Sequence, residues 1–373
     1  TTDVLVIGGG VVGLATAWKA ATEGMSVLVV SDPDRAEASR AAVGGLSFCP
    51  AEAVASGDEA MIGLSMDSKR TFPAFIRSLE EFSGVSTLHR KWPTLMLSLG
   101  DADEALMNQV ETARSRVGLA SIRLSAAECR EAEPELAERI RSGLLLEDHD
   151  QIDSGALTES LEAACAKASV ELRTGSVRGI LQSAGRVAGV ELSDGEKLMA
   201  TNVVVAAGAW SGGIDGLPRE LQNSVRPVAG QIVIVDGRPG QSLPRHDLRN
   251  AGVYLVTRSD GSVLMGATKE DKGFDQSPSA RNVHSLLHAA AALWPGVGDC
   301  RWRETRVGMR PLSADQRPIV GPTSIEGLYA ATGHFRNGIM FGAASAEAVV
   351  AMISGRESSS LFAPFSPSRM LAA

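Results

Sequence analysis

Cysteine and tyrosine are scarce in this sequence. The four cysteines, Cys49, Cys129, Cys165 and Cys300, are far apart, and no two of them have Cys-x-x-Cys spacing. This distribution gives no support to a zinc site or to a disulfide framework. We therefore expect four ordinary thiols, mostly buried, and no bound metal.

Positive charge is not in excess, and long hydrophobic runs are missing. The chain has 36 Lys and Arg residues against 44 Asp and Glu residues, a net charge of −8, which does not suit a surface for nucleic acid or anionic membranes. Its apolar runs are interrupted well before the roughly 18 residues of a membrane span, and no basic segment or cleavage site stands at the N-terminus. We expect a cytoplasmic protein that binds a small molecule.

The first 31 residues predict a βαβ unit. Residues 3–7 are a short β-branched run that ends in three glycines, residues 11–23 have apolar side chains at helical spacing, and residues 26–30 are a second strand-like run. A βαβ unit is the smallest piece of a doubly wound parallel sheet.

Hydrophobic periodicity predicts further helices and strands along the chain. Helices are expected over residues 57–82, with a break at Pro73, and over 101–118, 154–168 and 278–293. Strands are expected over 170–173, 176–181, 186–192, 201–206, 225–235, 252–257 and 262–267. Ser259-Asp260-Gly261 is a hairpin signal, and residues 224–267 predict a second, mostly antiparallel sheet. Residues 317–354 return to strand, glycine-rich loop and helix.

A glycine-rich turn joins the first strand to the first helix. Gly8, Gly10 and Gly13 fit the pattern GxGxxG, which allows a tight turn, close approach of a pyrophosphate to the helix N-terminus, and close packing of helix on strand. This setting favours dinucleotide binding over a tight turn without a ligand. An acidic residue is expected near the end of the second strand to hold the ribose, and the choice between Ser31 and Asp32 stays open.

Several segments resemble a known family. Residues 38–45 (ASRAAVGG), 305–321 (TRVGMRPLSADQRPIVG) and 332–340 (TGHFRNGIM) look like flavin-contacting segments, and residues 204–211 (VVAAGAWS) and 266–275 (GATKEDKGFD) follow the same order. Over nearly the whole chain the sequence resembles the D-amino-acid oxidase superfamily of FAD-dependent oxidoreductases. Within it, the sequence most resembles the glycine oxidase branch, the thiazole-biosynthesis oxidases.

The resemblance implies an α/β fold in which a Rossmann-like FAD-binding domain carries an inserted α+β substrate domain built on a mostly antiparallel sheet. We assign residues 1–84, 148–220 and 305–373 to the FAD-binding domain, and residues 85–147 and 221–304 to the substrate-binding domain.

The resemblance also implies which residues contact FAD. They are Gly8, Gly10, Val11, Val12, Gly13, Ser31 or Asp32, Ala38, Ser39, Arg40, Ala42, Val43, Gly44, Gly45, Val177, Ala207, Gly208, Trp210, His334, Phe335, Arg336, Asn337, Gly338, Ile339 and Met340. Related sarcosine oxidases attach their flavin to a cysteine at the position of Gly308. We therefore expect non-covalent FAD here.

On the substrate side, the resemblance points to four residues. Arg310 is expected to make a two-point contact with a substrate carboxylate, a contact that suits a planar guanidinium. Tyr254, one of two tyrosines, stands where the family has a carboxylate-binding phenol, and Arg336 would lie near flavin and substrate unless it forms a structural ion pair. Glycine oxidases tend to have a bulky methionine at the position of Gly45, so the pocket is expected to accept more than glycine.

No protein base is assigned. Hydride transfer from a neutral amine needs none, so His149 and His334 are expected to be hydrogen-bonded structural residues. We expect an oxidase of glycine or of an N-substituted (N-carboxymethyl) glycine, which transfers a hydride from the α-carbon to flavin N5, yields glyoxylate and an amine, and reduces O2 to H2O2. A dehydrogenase with another electron acceptor and a non-catalytic flavoprotein are the alternatives. Homo-oligomerisation is left open.

Overall fold

The computed structural model describes residues 1–35, 38–47 and 51–371. Its helices are α1 (Val11–Thr22), α2 (Ala51–Ser56), α3 (Glu59–Ser83), α4 (Asp101–Arg116), α5 (Ala126–Ala132), α6 (Ser154–Lys167), α7 (Ala280–Leu293) and α8 (Gly338–Ile353). Its strands are β1 (Thr2–Ile7), β2 (Val27–Ser31), β3 (Gly45–Leu46), β4 (Arg90–Lys91), β5 (Thr94–Ser98), β6 (Ile122–Ser125), β7 (Ser142–Leu146), β8 (Asp150–Gln151), β9 (Glu171–Thr174), β10 (Val177–Ser183), β11 (Arg186–Leu192), β12 (Lys197–Val205), β13 (Val225–Asp236), β14 (Asp247–Arg249), β15 (Tyr254–Thr257), β16 (Ser262–Gly266), β17 (Arg301–Ser313), β18 (Ile319–Pro322) and β19 (Leu328–Thr332).

The first large sheet has a parallel centre. Its strand order is β10-β11-β12-β1-β2-β9, and β19 and β18 extend it from β12. β1 pairs in parallel with β2 and β12, β2 with β9, and β12 with β19, which confirms the predicted βαβ unit and the α/β class. Helices α1, α3, α6 and α8 cover one face. Side chains of β10, β11 and the segment 214–225 pack on the other face, so the residues of β1, β2 and the end of β12 that lie between these two layers are apolar.

Helix α3 corrects one expectation. The predicted break at Pro73 is absent, because α3 is one helix from Glu59 to Ser83. Its buried face, which includes Leu64, Phe72 and Ile76, packs against α6 and α8. Burial of such side chains stabilises by about 1.5–3 kcal/mol each, which together exceeds the roughly 3 kcal/mol cost of a proline inside a helix.

The second large sheet is antiparallel except where β14 pairs with β5. The mostly antiparallel sheet predicted for residues 224–267 is therefore present, and β5, β6 and β7, which were not predicted, extend it. Its strand order is β17-β13-β16-β15-β14-β5-β7-β6, and β15 and β16 form the predicted hairpin. Side chains alternate along β13: Val233 and Val235 pack towards α7, whereas Ile232 and Ile234 face the other way. The predicted domain boundary at residue 305 falls within β17, which pairs along its length with β13, and the domain bounds stay a prediction.

The cysteines behave as expected where they are described. Cys129 and Cys165 are buried, burial raises the pKa of their thiols to about 11 and about 12, and Cys300 is half-buried. Cys49 lies outside the described residues. Over the part of the chain that the structure describes, no helix has the length and hydropathy of a transmembrane segment. Among those same residues, no three His, Cys, Asp or Glu side chains lie close enough together to hold a metal ion.

Candidate functional site

A cavity of about 500 Å³ lies between the two large sheets. The parallel strands β1, β2, β12 and β19 all end at its rim, which is the edge where doubly wound sheets bind ligands. The opposite wall comes from the second sheet, and includes Gly230, Gly266, Gly308 and Arg310. A β-carbon on Gly266 would lie 2.9 Å from a Val43 side-chain carbon, so glycine at this position lets Val43 pack against the second sheet.

The GxGxxG turn has the packing that its sequence predicts. A β-carbon on Gly13 would overlap the carbonyl oxygen of Gly8, so only glycine lets α1 approach the turn this closely. The Val11 amide donates to Ser39 Oγ at 3.0 Å, which brings a residue 28 positions away to the N-terminus of α1. A β-carbon on Gly10 would lie 3.0 Å from the same hydroxyl oxygen. This glycine cradle at a helix N-terminus fits a pyrophosphate.

Ser31 and Asp32 both line the cavity, and the choice between them for the ribose stays open. Asp32 accepts from the Asp34 amide at 3.1 Å and forms an ion pair with Arg35 at 3.1 Å. The Arg35 guanidinium lies 5.4 Å from the ring centroid of Trp210, which also lines the cavity. Arg35 was not among the predicted site residues, although its position three residues after Asp32 at the end of β2 was a signal.

A buried arginine supports the segment that the resemblance assigns to the flavin ring. Arg258 is 8% exposed, and it donates to the backbone oxygen of Val43 at 2.6 Å and to that of Ile152. Gly44 has a positive φ of 83°, and a β-carbon there would overlap the Ile152 carbonyl. Strand β3 also pairs Gly45 with Gln151 of β8. These contacts define the shape of the turn.

Most of the predicted cofactor residues line this cavity. They are Gly8, Gly10, Val12, Ser31, Asp32, Ala38, Ser39, Ala42, Val43, Gly44, Gly45, Val177, Ala207, Gly208, Trp210, His334, Phe335, Arg336, Asn337, Gly338, Ile339 and Met340. Val11, Gly13 and Arg40 are not among its lining residues. The first two contribute through the turn, whereas Arg40 forms an ion pair with Glu162 at 2.6 Å.

Arg310 lies on the cavity wall with its guanidinium held by backbone. A β-carbon on Gly230 would overlap the guanidinium, so glycine on β13 lets Arg310 lie close to the strand. Nη1 donates to the carbonyl oxygens of Thr268 at 2.9 Å and Ala229 at 3.4 Å. Burial, followed by the nearby charge of Arg336, lowers the pKa of Arg310 to about 10, so it remains a cation at pH 7.

Tyr254 fills the space that the sequence analysis assigned to substrate. Gly45 was expected to leave room beside the flavin, but a β-carbon there would overlap the ring and hydroxyl of Tyr254. The small residue makes room for this tyrosine, and the expected vacancy is absent. The Tyr254 hydroxyl donates to Oδ2 of Asp247 at 3.0 Å.

Arg336 lines the cavity but is half-exposed, and it forms an ion pair with Glu52, which was the structural alternative for this residue. His334 Nε2 lies 2.9 Å from Ser345 Oγ, and His149 Nδ1 lies 2.9 Å from Thr94 Oγ1. Burial lowers the pKa of His334 to about 4 and that of His149 to about 3. Both histidines are therefore neutral at pH 7.

Two further residues at this end were missed. Arg249 of β14 lines the cavity and lies opposite Tyr254 of β15. Asp247, two residues before Arg249 on the same strand, is fully buried and accepts a hydrogen bond from Tyr254. A loop separates β14 from β15, so the sequence alone did not fix the register that brings these residues together. An acidic residue within a predicted sheet was the available signal for Asp247.

Comparison with known proteins agrees with this geometry. The family model DAO, FAD dependent oxidoreductase, matches residues 3–352. Glycine oxidase of Pseudomonas aeruginosa is 32% identical over 99% of both chains. The glycine oxidase structure from Geobacillus kaustophilus has a TM-score of 0.89 at 28% identity, covering 99% of this chain and 98% of that one. Iminodiacetate oxidase from Chelativorans sp. BNC1 has a TM-score of 0.87 at 26% identity, covering 98% and 99%.

Some curated relatives are longer than this chain. Bifunctional ThiO/ThiG proteins are 30–32% identical to it, and the chain spans about half of their length, 54–55%. The match to the DAO family nevertheless covers nearly the whole of the present sequence. The chain belongs to the DAO family of FAD-dependent oxidoreductases.

Proposed function

We propose that the protein is an oxidase of small amines that carry a carboxylate, with glycine or an N-substituted glycine as substrate. The observation that carries this proposal is one cavity that joins the GxGxxG turn to Arg310 and Tyr254. A dinucleotide cradle and a carboxylate-binding arginine in one cavity suit oxidation of an amino acid beside a flavin.

The described residues fit FAD without a covalent link. The pyrophosphate would lie at Gly8–Gly10 and the N-terminus of α1, and the flavin ring against Val43, Gly44 and Gly45. Bound FAD would accept a hydride from the carbon next to the substrate nitrogen and pass the electrons to O2, so that H2O2, glyoxylate and an amine result after hydrolysis of the imine.

The protein's contribution is to orient the substrate. Because Nη1 of Arg310 donates to backbone carbonyls, the two-point contact with the carboxylate falls to Nε and Nη2. The lowered pKa values of His334 and His149 make both of them weak bases near pH 7, so neither is assigned to deprotonate the substrate amine. Orientation of the α-carbon is then the main catalytic effect.

The nature of the nitrogen substituent has one structural cue. Since Tyr254 fills the space at Gly45, that glycine does not provide room for a larger substituent. Arg249 supplies a second cation on the cavity wall, beside Tyr254, and this favours a substituent that itself carries a carboxylate. The similarity to an iminodiacetate oxidase, whose name denotes an N-carboxymethyl glycine as substrate, supports the same choice.

The test is flavin bleaching under anaerobic conditions with glycine, sarcosine, iminodiacetate, a D-amino acid and an N-carboxymethyl amino acid with an alkyl side chain. Bleaching by a glycine derivative, followed by recovery of colour and formation of H2O2 on admission of air, is the expected result. Bleaching without reoxidation by O2 would indicate a dehydrogenase instead. No bleaching by any amine in the panel would contradict the proposal and favour a non-catalytic flavoprotein.

A further inference from the structure

Tyr254 lines the cavity, and its hydroxyl belongs to a buried polar network with Asp247 and Thr94. We propose that Asp247 is a positioning residue that sets the direction of this hydroxyl: protonated Asp247 lets Tyr254 donate to the substrate carboxylate, and ionised Asp247 withdraws that hydrogen bond. This inference rests on the proposed function, in which Tyr254 contacts a carboxylate.

Asp247 is held from three sides in a site without solvent. It is 0% exposed, its backbone amide donates to the Pro93 carbonyl at 3.0 Å, and its two carboxyl oxygens have different partners. Oδ1 accepts from Gln151 Nε2 at 2.9 Å, and Oδ2 accepts from the Tyr254 hydroxyl at 3.0 Å. Both of these hydrogen-bond donors are neutral groups.

Arg90 fixes the direction of this network. Its Nε and Nη2 donate to Gln151 Oε1 at 3.0 and 2.8 Å. An arginine cannot accept, so the amide oxygen of Gln151 must face Arg90 and its NH2 group must face Asp247. Oδ1 of Asp247 is therefore always an acceptor, and a proton that Asp247 takes up belongs on Oδ2, the atom that faces Tyr254.

The two states of Asp247 leave different groups for the substrate. Tyr254 has one hydroxyl proton. While Oδ2 is ionised, this proton is committed to Asp247, and the phenol oxygen can offer only lone pairs to the cavity. Once Oδ2 carries a proton, Asp247 donates to the phenol oxygen, and the Tyr254 proton is released. Its possible acceptors are then Thr94 Oγ1, 3.4 Å from the phenol oxygen, and a substrate carboxylate, which is the stronger acceptor because it is charged. A charge-assisted hydrogen bond of this kind contributes about 1.5–3 kcal/mol.

Asp247 is the group of this network that changes charge near neutral pH. Burial raises the pKa of Asp247 to about 7, against the opposing effects of Tyr254, Arg258 and Gln151. The arginines that face the network, Arg90, Arg249 and Arg258, stay charged in this range.

Tyr254 and His149 do not change charge in that window. Burial raises the pKa of Tyr254 well above its usual value, and burial lowers that of His149 to about 3. The adjacent His246 makes its contact elsewhere, with Nδ1 2.7 Å from Glu133 Oε1.

The test measures binding of methoxyacetate to the oxidised holoenzyme from pH 6 to pH 9, by perturbation of the flavin spectrum. This probe has a carboxylate that stays ionised and no amine, so its own titration does not contribute. The dissociation constant of the wild type is expected to rise about tenfold or more across this range, as the hydrogen bond from Tyr254 is lost. Methoxyacetamide, which lacks the carboxylate, serves as the control and should show no such dependence.

Two variants separate positioning from a merely structural role. In Asp247→Asn the amide oxygen must face Gln151 and the NH2 group must face Tyr254, which imitates the protonated acid. This variant should keep the wild-type pH 6 affinity at every pH. Tyr254→Phe should bind weakly at every pH, because it has no hydroxyl to donate.

The results that would contradict the inference differ from those that would contradict the proposed function. A wild-type affinity that is constant from pH 6 to pH 9, or an unchanged pH dependence in either variant, overturns the inference and leaves the oxidase proposal intact. No flavin perturbation by methoxyacetate at any pH overturns the carboxylate site, and with it both proposals. If Asp247→Asn does not fold, Tyr254→Phe still decides, because pH dependence that persists in it overturns the inference.

Discussion

Gly45 lies directly against the phenol ring of Tyr254, so that a β-carbon on residue 45 would overlap both the ring and its hydroxyl. Neither partner can move freely, because β3 pairs Gly45 with Gln151 and the hydroxyl is bonded to Asp247. Gly45→Ala is therefore expected to displace Tyr254. The expected result is a KM for the amine substrate raised by about 10- to 150-fold, with kcat changed less, in steady-state oxygen-consumption assays.

Gly298→Ala is the matched control for this variant. Residue 298 has no atom within 4 Å of a β-carbon, and its wild-type kinetics should be retained. If Gly45→Ala keeps the wild-type KM, Tyr254 does not contact the substrate. If Gly45→Met loses activity only with bulky N-substituents, the space beside Gly45 belongs to the substrate after all.

Arg310→Lys should retain FAD but lose most of its turnover. A lysine ammonium cannot make the two-point contact with a carboxylate that a planar guanidinium makes. It also cannot bind the carboxylate while donating to the carbonyls of Thr268 and Ala229, as Arg310 can. The expected loss in kcat/KM is about 10- to 150-fold. Arg303→Lys on the same strand, where Arg303 pairs with Asp236 and Asp260 at the surface, is the control. Equal kinetics of the two variants would remove Arg310 from the substrate site.

Sequence patterns predicted the elements that have a local signal. The βαβ unit, the β15–β16 hairpin and the long helices have characteristic periodicities or turn residues, and each is present. The break at Pro73 was wrong because tertiary burial of one helix face outweighs a local penalty. The elements that were predicted are ones whose signal lies in residues close together in the sequence, although α5, which has a capping box of Ser125 and Glu128, was not predicted.

The site was predictable only in part, for a related reason. The glycine turn and the segment around Arg310 are recognisable from consecutive residues, and they do meet in one cavity. Three other residues of the site come from separate parts of the chain: Asp247, Gln151 and Arg258. Their contacts at the site depend on strand register and on burial. A single sequence reports neither quantity. The same limit explains Gly45, whose small size serves Tyr254, a residue more than 200 positions away.

FAD is expected to be released by acid precipitation. The related covalent enzymes use a cysteine at the position of Gly308, and the described residues that line the cavity include no cysteine. Cys49 is close in sequence to Gly45 but outside the described residues, so it needs its own control. Release is measured by FAD absorbance in the supernatant, for the wild type and for Cys49→Ser. Colour that stays with the wild-type precipitate, but not with that of Cys49→Ser, would identify a covalent link at Cys49.

The raised pKa of Asp247 also predicts how stability depends on pH. An aspartate has an ordinary pKa of 3.8, and burial raises that of folded Asp247 to about 7. Between these values the folded state binds more protons than the unfolded state, so stability falls as pH rises towards 7 and is constant above it. The slope contributed by this one group approaches about 1.4 kcal/mol per pH unit inside that window.

Asp247→Asn removes this contribution, because its amide is neutral at every pH. The melting temperature of the Asp247→Asn holoenzyme minus that of the wild type should therefore increase from pH 5 to pH 7.5 and then level off. Asp194→Asn, in an exposed turn after β11, is the control, and it should follow the wild-type profile. Melting followed by circular dichroism at half-unit pH steps measures the difference. A difference that stays constant over this range would mean that Asp247 is already ionised at pH 5 and that it does not titrate near neutrality.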